Sequence, residues 1–170
     1  MTDTGTHGDP VAGRPRMPGG YGIARDEVDR NRFPWSWADE QLVKSRNYWI
    51  ATTRDDARPH AAPVWGLWLD GALFFSTDPT SLKGRNMAAR PEIVVHLESG
   101  DDTVILEGAV EKMTGVEALT QFVDAYESKY GFRVDTSNTN FGVYRLRPRV
   151  ALTWREQSVP ESATRWEFHQ

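Results

Sequence analysis

Residues 59–77 carry the pattern that most restricts how this chain folds: "PHAAPVWGLWLDGALFFST", two apolar runs on either side of Asp70-Gly71. Asp-Gly between apolar runs marks a two-residue hairpin, because both turn positions need a positive φ that these residues tolerate. The pattern predicts a strand over 59–68 folded back antiparallel on a strand over 72–77. Pro63 lies inside the first of them and has no N–H to donate, so this strand belongs at an edge or a bulge. Its backbone groups are then free for something other than a neighbouring strand.

The rest of the chain repeats the theme. "YWIATT" (48–53), "EIVVHLES" (92–99) and "TVILEGAVEKM" (103–113) are rich in β-branched and aromatic residues and are separated by polar turns. "FGVYRLRP" and "RVALTWRE" predict two more strands joined near Pro148. Ser36 followed three residues later by Asp39 predicts a capped helix over 37–46, and Thr114 with Glu117 a capping box opening a helix through Leu119, Phe122, Val123 and Tyr126. Six or seven mainly antiparallel strands with two or three short helices and no βαβ rhythm give a mainly β, α+β fold, a small barrel with appended helices. Residues 1–22 are rich in Gly, Pro and Thr and poor in large apolar side chains, which predicts a disordered arm before a single domain over 23–170.

Composition narrows the function. A net charge of −4 and a scatter of Lys and Arg along the chain speak against a nucleic-acid binder. The chain has no cysteine, which excludes disulfides, thiolate metal sites and a cysteine nucleophile. Its four histidines lack metal-ligand spacing, so no metal site is expected. No apolar run suits a signal peptide or a membrane span, which makes the cytoplasm the expected compartment. Seven Trp suit core and dimer packing, or an aromatic-lined pocket.

The candidate site lies where the second hairpin strand ends. Ser76 and Thr77 close it, and Lys83, Arg85 and Asn86 follow at the start of a predicted helix. Unpaired helix N–H groups, hydroxyls and a cation suit an anion such as phosphate. Lys83 and Asn86, three apart, share a helix face, whereas Arg85 points roughly 200° away from Lys83. On pattern alone the same run also suits an ordinary solvated helix.

These stretches, with "KGRN", "VVHLESGDDTVILEGAVE", "YRLRP" and "ATRWEF", occur in an order that resembles the flavin and deazaflavin oxidoreductases of the pyridoxamine 5′-phosphate oxidase-like split β-barrel superfamily. The resemblance runs over roughly residues 34–168 and looks closest to the branch that uses coenzyme F-420, with the FMN users next. It implies a six-stranded antiparallel split β-barrel and a homodimer with the cofactor at the subunit interface. It further implies that Lys83, Arg85 and Asn86, with Ser76 and Thr77, meet the cofactor phosphate. His60, Pro63, Val64 and Trp65 would lie along its ring system, and Arg165 and Trp166 in a terminal segment near the site. Many relatives carry Arg just before the motif lysine; here that residue is Leu82. The activity implied is hydride transfer from reduced F-420 to an unsaturated planar small molecule. An FMN-dependent oxidoreductase and a non-catalytic cofactor or haem binder, with His60 or His96 as axial ligand, are the alternatives.

Overall fold

The computed structural model describes residues 9–15, 32–138, 140–159 and 161–169. In chain order its elements are β1 (Val11–Gly13), α1 (Trp35–Lys44), β2 (Asn47–Thr53), β3 (Pro59–Leu69), β4 (Ala72–Thr77), α2 (Leu82–Ala89), β5 (Glu92–His96), β6 (Asp102–Lys112), α3 (Val116–Tyr130), β7 (Gly142–Arg155), a 3-10 turn (Glu156–Ser158) and β8 (Thr164–Glu167). The sheet runs β1-β8-β7-β4-β3-β2-β5-β6, and β6 also pairs with β7. That last pairing closes a six-stranded antiparallel barrel and leaves β8 and β1 outside it. The split-barrel expectation from the sequence therefore holds.

The hairpin forms as read. Asp70 and Gly71 both take positive φ, 49° and 70°, and Leu69 faces Ala72. On β2 the alternation puts Tyr48, Ile50 and Thr52 into the barrel, with Trp49 and Ala51 on its outer side. The interior is filled by these with Leu73, Phe75, Val95, Leu106 and Leu146, and α1 plugs it with Trp35, Ala38 and Leu42. Burying a side chain of that size contributes roughly 1.5–3 kcal/mol. A second cluster joins α3 to the outer face of the sheet through Phe122, Val123 and Tyr126 against Leu67 and Val143.

Four local readings change. Pro148 does not separate two strands: β7 is continuous, and the register shifts opposite Glu107 and Gly108, where a bulge absorbs the missing donor. The capping box at Thr114 does not form, because α3 starts from Gly115 at φ 107° without a side-chain cap. Ser36 does not cap α1, which begins two residues earlier after Pro34 and so carries Trp35 into the core. Within the arm expected to be disordered, Val11–Gly13 is a strand paired with Arg165–Glu167, because the outer edge of β8 offers unpaired backbone groups. For residues 1–8 and 16–22 that expectation lies outside the described residues.

Candidate functional site

β3 changes partner along its length. Pro59–Trp65 pair with β2, while Gly66–Leu69 pair with β4. The β3–β4 ladder thus ends at Gly66 opposite Phe75, and Trp65 and Ser76 are the first residues beyond the fork. From Trp65 back to Pro59 one edge of β3 has no strand beside it among the described residues. The His60 carbonyl accepts from the Thr52 hydroxyl (3.4 Å) and so faces β2. Successive carbonyls point to opposite edges, which turns Pro59, Ala61 and Pro63 toward the open side, where a proline interrupts no ladder. The edge expected from Pro63 is there.

The other wall of the fork begins at Ser76 and Thr77, which pair on their far side with Val143 and Gly142. The chain then turns through Asp78–Ser81 into α2, which lies at the barrel end where β2 hands over to β3. Ser81 caps this helix by accepting the Gly84 N–H (3.1 Å). Gly84 is required: a Cβ there would stand 2.5 Å from the Asp78 carbonyl oxygen and 2.6 Å from that of Pro79.

The "KGRN" side chains divide the work. Asn86 is 5% exposed and donates to the Thr52 hydroxyl (2.9 Å), which anchors α2 to the strand beside His60. Arg85 is exposed and donates to the Thr80 carbonyl, bracing the loop. Lys83 is half-buried and has no carboxylate at ion-pair distance among the described residues, so it is a cation available to an anion. Asp78 sits nearby with its carboxyl held below the usual range by the Thr80 hydroxyl and N–H, and further by the Lys83 charge. Leu82, where many relatives have Arg, is half-buried.

Three buried polar atoms at this end of the barrel have no hydrogen-bond partner: Ser76 Oγ, His60 Nδ1 and Arg54 Nε. Arg54 was not expected from the sequence. It reads there as one charge in a polar turn, and only the fold brings that turn against the end of α2, where Arg90 donates to the Arg54 carbonyl (3.2 Å) and to Asp55 (2.8 Å). The two other such atoms belong to Trp37 and Arg155, a separate cluster in which the Arg155 guanidinium packs over the Phe33 and Trp37 rings.

Val64, Arg165 and Trp166, expected near the site, are engaged elsewhere, and so are the cations Arg58 and Lys129. Val64 is buried in the core. Arg58 pairs with Asp56 (2.7 Å). Lys129 donates to the carbonyls of Ser45 (2.6 Å) and Gly66 (3.0 Å) and to the Tyr48 hydroxyl (3.3 Å), at the point where β2 begins beside β3. Burial and the nearby Arg46 charge lower its pKa. Arg165 and Trp166 lie on β8, which joins β7 along Val150–Thr153, well past the stretch that faces Ser76 and Thr77. Trp166 is buried against Trp35 (ring centroids 5.5 Å) and donates to Thr153 (2.9 Å). Arg165 pairs with Glu167 (3.3 Å). One chain by itself does not bring these two residues to the fork. Among the described residues no group of three or more His, Asp or Glu is placed to hold a metal ion.

A family model described as pyridoxamine 5′-phosphate oxidase matches residues 37–155. No curated protein matches the sequence. Among solved structures, a conserved hypothetical protein from Mycobacterium tuberculosis is 23% identical, with 72% of this chain and 85% of that one covered and a TM-score of 0.64. A protein described as an F420 reductase is 21% identical over 66% of this chain and 94% of its own, with a TM-score of 0.54. HutZ, a haem storage protein from Vibrio cholerae, is 14% identical over 66% of this chain and 88% of its own, with a TM-score of 0.59. At these identities the likeness is one of fold.

Proposed function

The chain belongs to the pyridoxamine 5′-phosphate oxidase family, and on that premise we propose that it is an oxidoreductase that binds coenzyme F-420 along the open edge of β3 and reduces an unsaturated planar small molecule. The observations that carry this reading are three buried side-chain atoms without partners toward the α2 end of the barrel, Ser76 Oγ, His60 Nδ1 and Arg54 Nε, together with the half-buried Lys83. A buried polar group left unpaired costs about 1–3 kcal/mol, so the two donors Ser76 and Arg54 call for a ligand with acceptor atoms, and His60 for a partner of either kind. A phosphodiester suits them: Ser76, Arg54 and Lys83 donate to its oxygens, the last two with charge-assisted bonds. Arg54 then supplies the positive charge that Leu82 does not.

When bound and reduced, the cofactor supplies the hydride. The protein binds and orients it and keeps water from its ring. His60 meets a ring heteroatom or carbonyl through Nδ1, in whichever tautomer that partner requires. Ala61 offers a backbone N–H on the open edge of β3. Asn86 positions α2, and through it Lys83. F-420 is preferred to FMN for two reasons: a structure of the same fold is described as an F420 reductase, and Arg85, exposed on α2, adds positive charge beside Lys83 for an anionic tail.

The active form is a homodimer. The support is the outer sheet face, where Trp49 stacks on His96 (6.3 Å, 4°), Pro63 is exposed and Ile105 and Leu152 are half-exposed. Leaving such a face in water is unfavourable, and a second copy covers it.

Parallel titrations with F-420, FMN and haem test the assignment. Tighter binding of F-420, followed by acceptor-dependent oxidation of its reduced form, is the expected result. Preference for FMN moves the chain to flavin chemistry. A Soret band on adding haem, with neither flavin nor deazaflavin bound, overturns the oxidoreductase reading.

A further inference from the structure

At the fork, Trp65 lies parallel to Tyr130, with ring centroids 4.7 Å apart and planes inclined by 2°. The Arg46 guanidinium stands over both rings, 5.2 Å from one centroid and 5.6 Å from the other. Backbone groups hold this stack in place. The Tyr130 hydroxyl accepts the Gly66 N–H (2.9 Å) and lies 2.7 Å from the carbonyl oxygens of both Arg46 and Gly66, its single proton serving one of them at a time. Two of the three residues are thus fixed by the chain itself, yet Trp65 keeps 37% of its surface exposed.

Neither cation at this stack is neutralised by a carboxylate, which among the described residues is also true of Lys83, Arg54 and Arg85. Seven other described arginines each pair with a carboxylate. Arg46 has none at ion-pair distance among the described residues, and its neighbour Lys129 is bonded only to carbonyl oxygens and a hydroxyl. The two cations are close enough for the Arg46 charge to help depress the Lys129 pKa, behind the larger effect of burial. In a chain of net charge −4, two adjacent cations without a carboxylate form a local positive field that an anion would relieve.

We propose that Trp65, Tyr130 and Arg46 form the acceptor subsite, taking a planar aromatic substrate that carries an acidic group, with its ring on the exposed Trp65 and its carboxylate or ionised phenol on Arg46. A planar guanidinium pairs a carboxylate through two parallel N–H bonds while remaining over the rings. This inference rests on the fork being the cofactor site. From His60 to Trp65 the open edge of β3 runs about 17 Å at about 3.3 Å per residue, enough for a tricyclic ring with its side chain, and it ends at this stack.

The test compares two probes of the same shape, 2-naphthoate and the neutral methyl ketone 2-acetylnaphthalene. Binding is followed by calorimetry with the protein alone and with the protein loaded with F-420 or FMN. We expect the carboxylate to bind at least ~10-fold more tightly than the ketone, about 1.4 kcal/mol. Arg46→Gln removes that preference while leaving cofactor affinity within about two-fold, Arg46→Lys retains part of it, and Trp65→Leu weakens both probes. Equal binding of the two probes, or a preference that survives in Arg46→Gln of normal melting temperature, overturns the subsite. Cofactor binding without the preference removes the subsite and keeps the proposed function. The preference without cofactor binding does the reverse.

Discussion

Asn86 reaches 34 positions back along the chain to donate its amide to the Thr52 hydroxyl at 2.9 Å, in a buried contact at the α2 end of the barrel. Thr52 in turn donates to the His60 carbonyl (3.4 Å), so one chain of bonds links α2 to the strand lining the open edge. Asn86→Ala leaves the Thr52 hydroxyl without that donor inside the protein, at a cost of about 1–3 kcal/mol. Thermal melts of Asn86→Ala, Thr52→Val and the double variant should show a double loss smaller than the sum of the singles. Strict additivity would mean that the two residues act independently.

Lys83 and Arg54 have no such structural duty. Lys83→Ala and Arg54→Ala should each weaken cofactor binding by roughly 1.5–3 kcal/mol, the range for a hydrogen bond to a charged group. Melting temperatures should hardly move, because neither side chain has an ion-pair partner among the described residues to lose. Raising the salt concentration should weaken the parent more than either variant. Full cofactor affinity in Arg54→Ala would show that Leu82 goes uncompensated.

How far the fold and site could be read in advance follows from the range of the signals. Asp70-Gly71 and the alternation around it are local, and the hairpin appears as written. Pro63 announced an edge because a missing donor has only a few tolerable settings. The continuity of β7 through Pro148 was hidden, since it depends on a bulge facing residues some forty positions earlier in the chain. Lys83 was legible from helix periodicity, and so was the turning away of Arg85. Arg54, Arg46 and Tyr130 were not, because their roles arise from contacts between elements distant in sequence. Tyr130, for example, bonds a glycine 64 positions away.

Gly84→Ala separates packing from charge at the same motif. The added methyl meets two backbone carbonyl oxygens of the 78–79 loop at 2.5 and 2.6 Å, and backbone does not yield as a flexible side chain would. Overpacking of this kind costs typically about 1–3 kcal/mol. The variant should lose stability and, because the loop leads from Ser76 to Lys83, cofactor affinity as well. Differential scanning calorimetry with a parallel titration reads both; unchanged values in both would mean that the loop shifts without consequence for the site.

Alkaline unfolding should report the buried tyrosines of α3 and of the barrel. Burial pushes Tyr126 up to about 12, helped by its neighbour Tyr130, and burial also raises Tyr48, Tyr130 and Tyr144. The unfolded chain ionises these groups near pH 10 while the folded chain retains their protons, so stability falls as pH rises from about 10 toward 12. Lys129 acts in the opposite sense: its folded pKa lies below the unfolded value, so it contributes a rise in stability with pH between the two. Tyr126→Phe should reduce the alkaline slope by up to one proton, about 1.4 kcal/mol per pH unit. Denaturant melts at pH 9, 10 and 11 with an unaltered slope in that variant would place the alkaline sensitivity elsewhere.

Removing residues 1–14 tests the strand that the composition of the N-terminus concealed. β1 contributes three residues, and only their pairing with Arg165, Trp166 and Glu167 gives them a fixed conformation. Ala12, opposite Trp166, packs against the same core as Trp35. Deletion exposes the outer edge of β8 to water and loosens one side of the aromatic cluster, without touching the barrel closure between β6 and β7. The expected result is an unchanged far-ultraviolet spectrum with a melting temperature lower by roughly 2–6 °C, corresponding to about 1–2 kcal/mol for a domain of this size. Tryptophan emission should shift to longer wavelength in the shortened chain but not in one carrying Trp166→Phe as well. A melting temperature equal to that of the full chain would show that β1 follows the fold without supporting it.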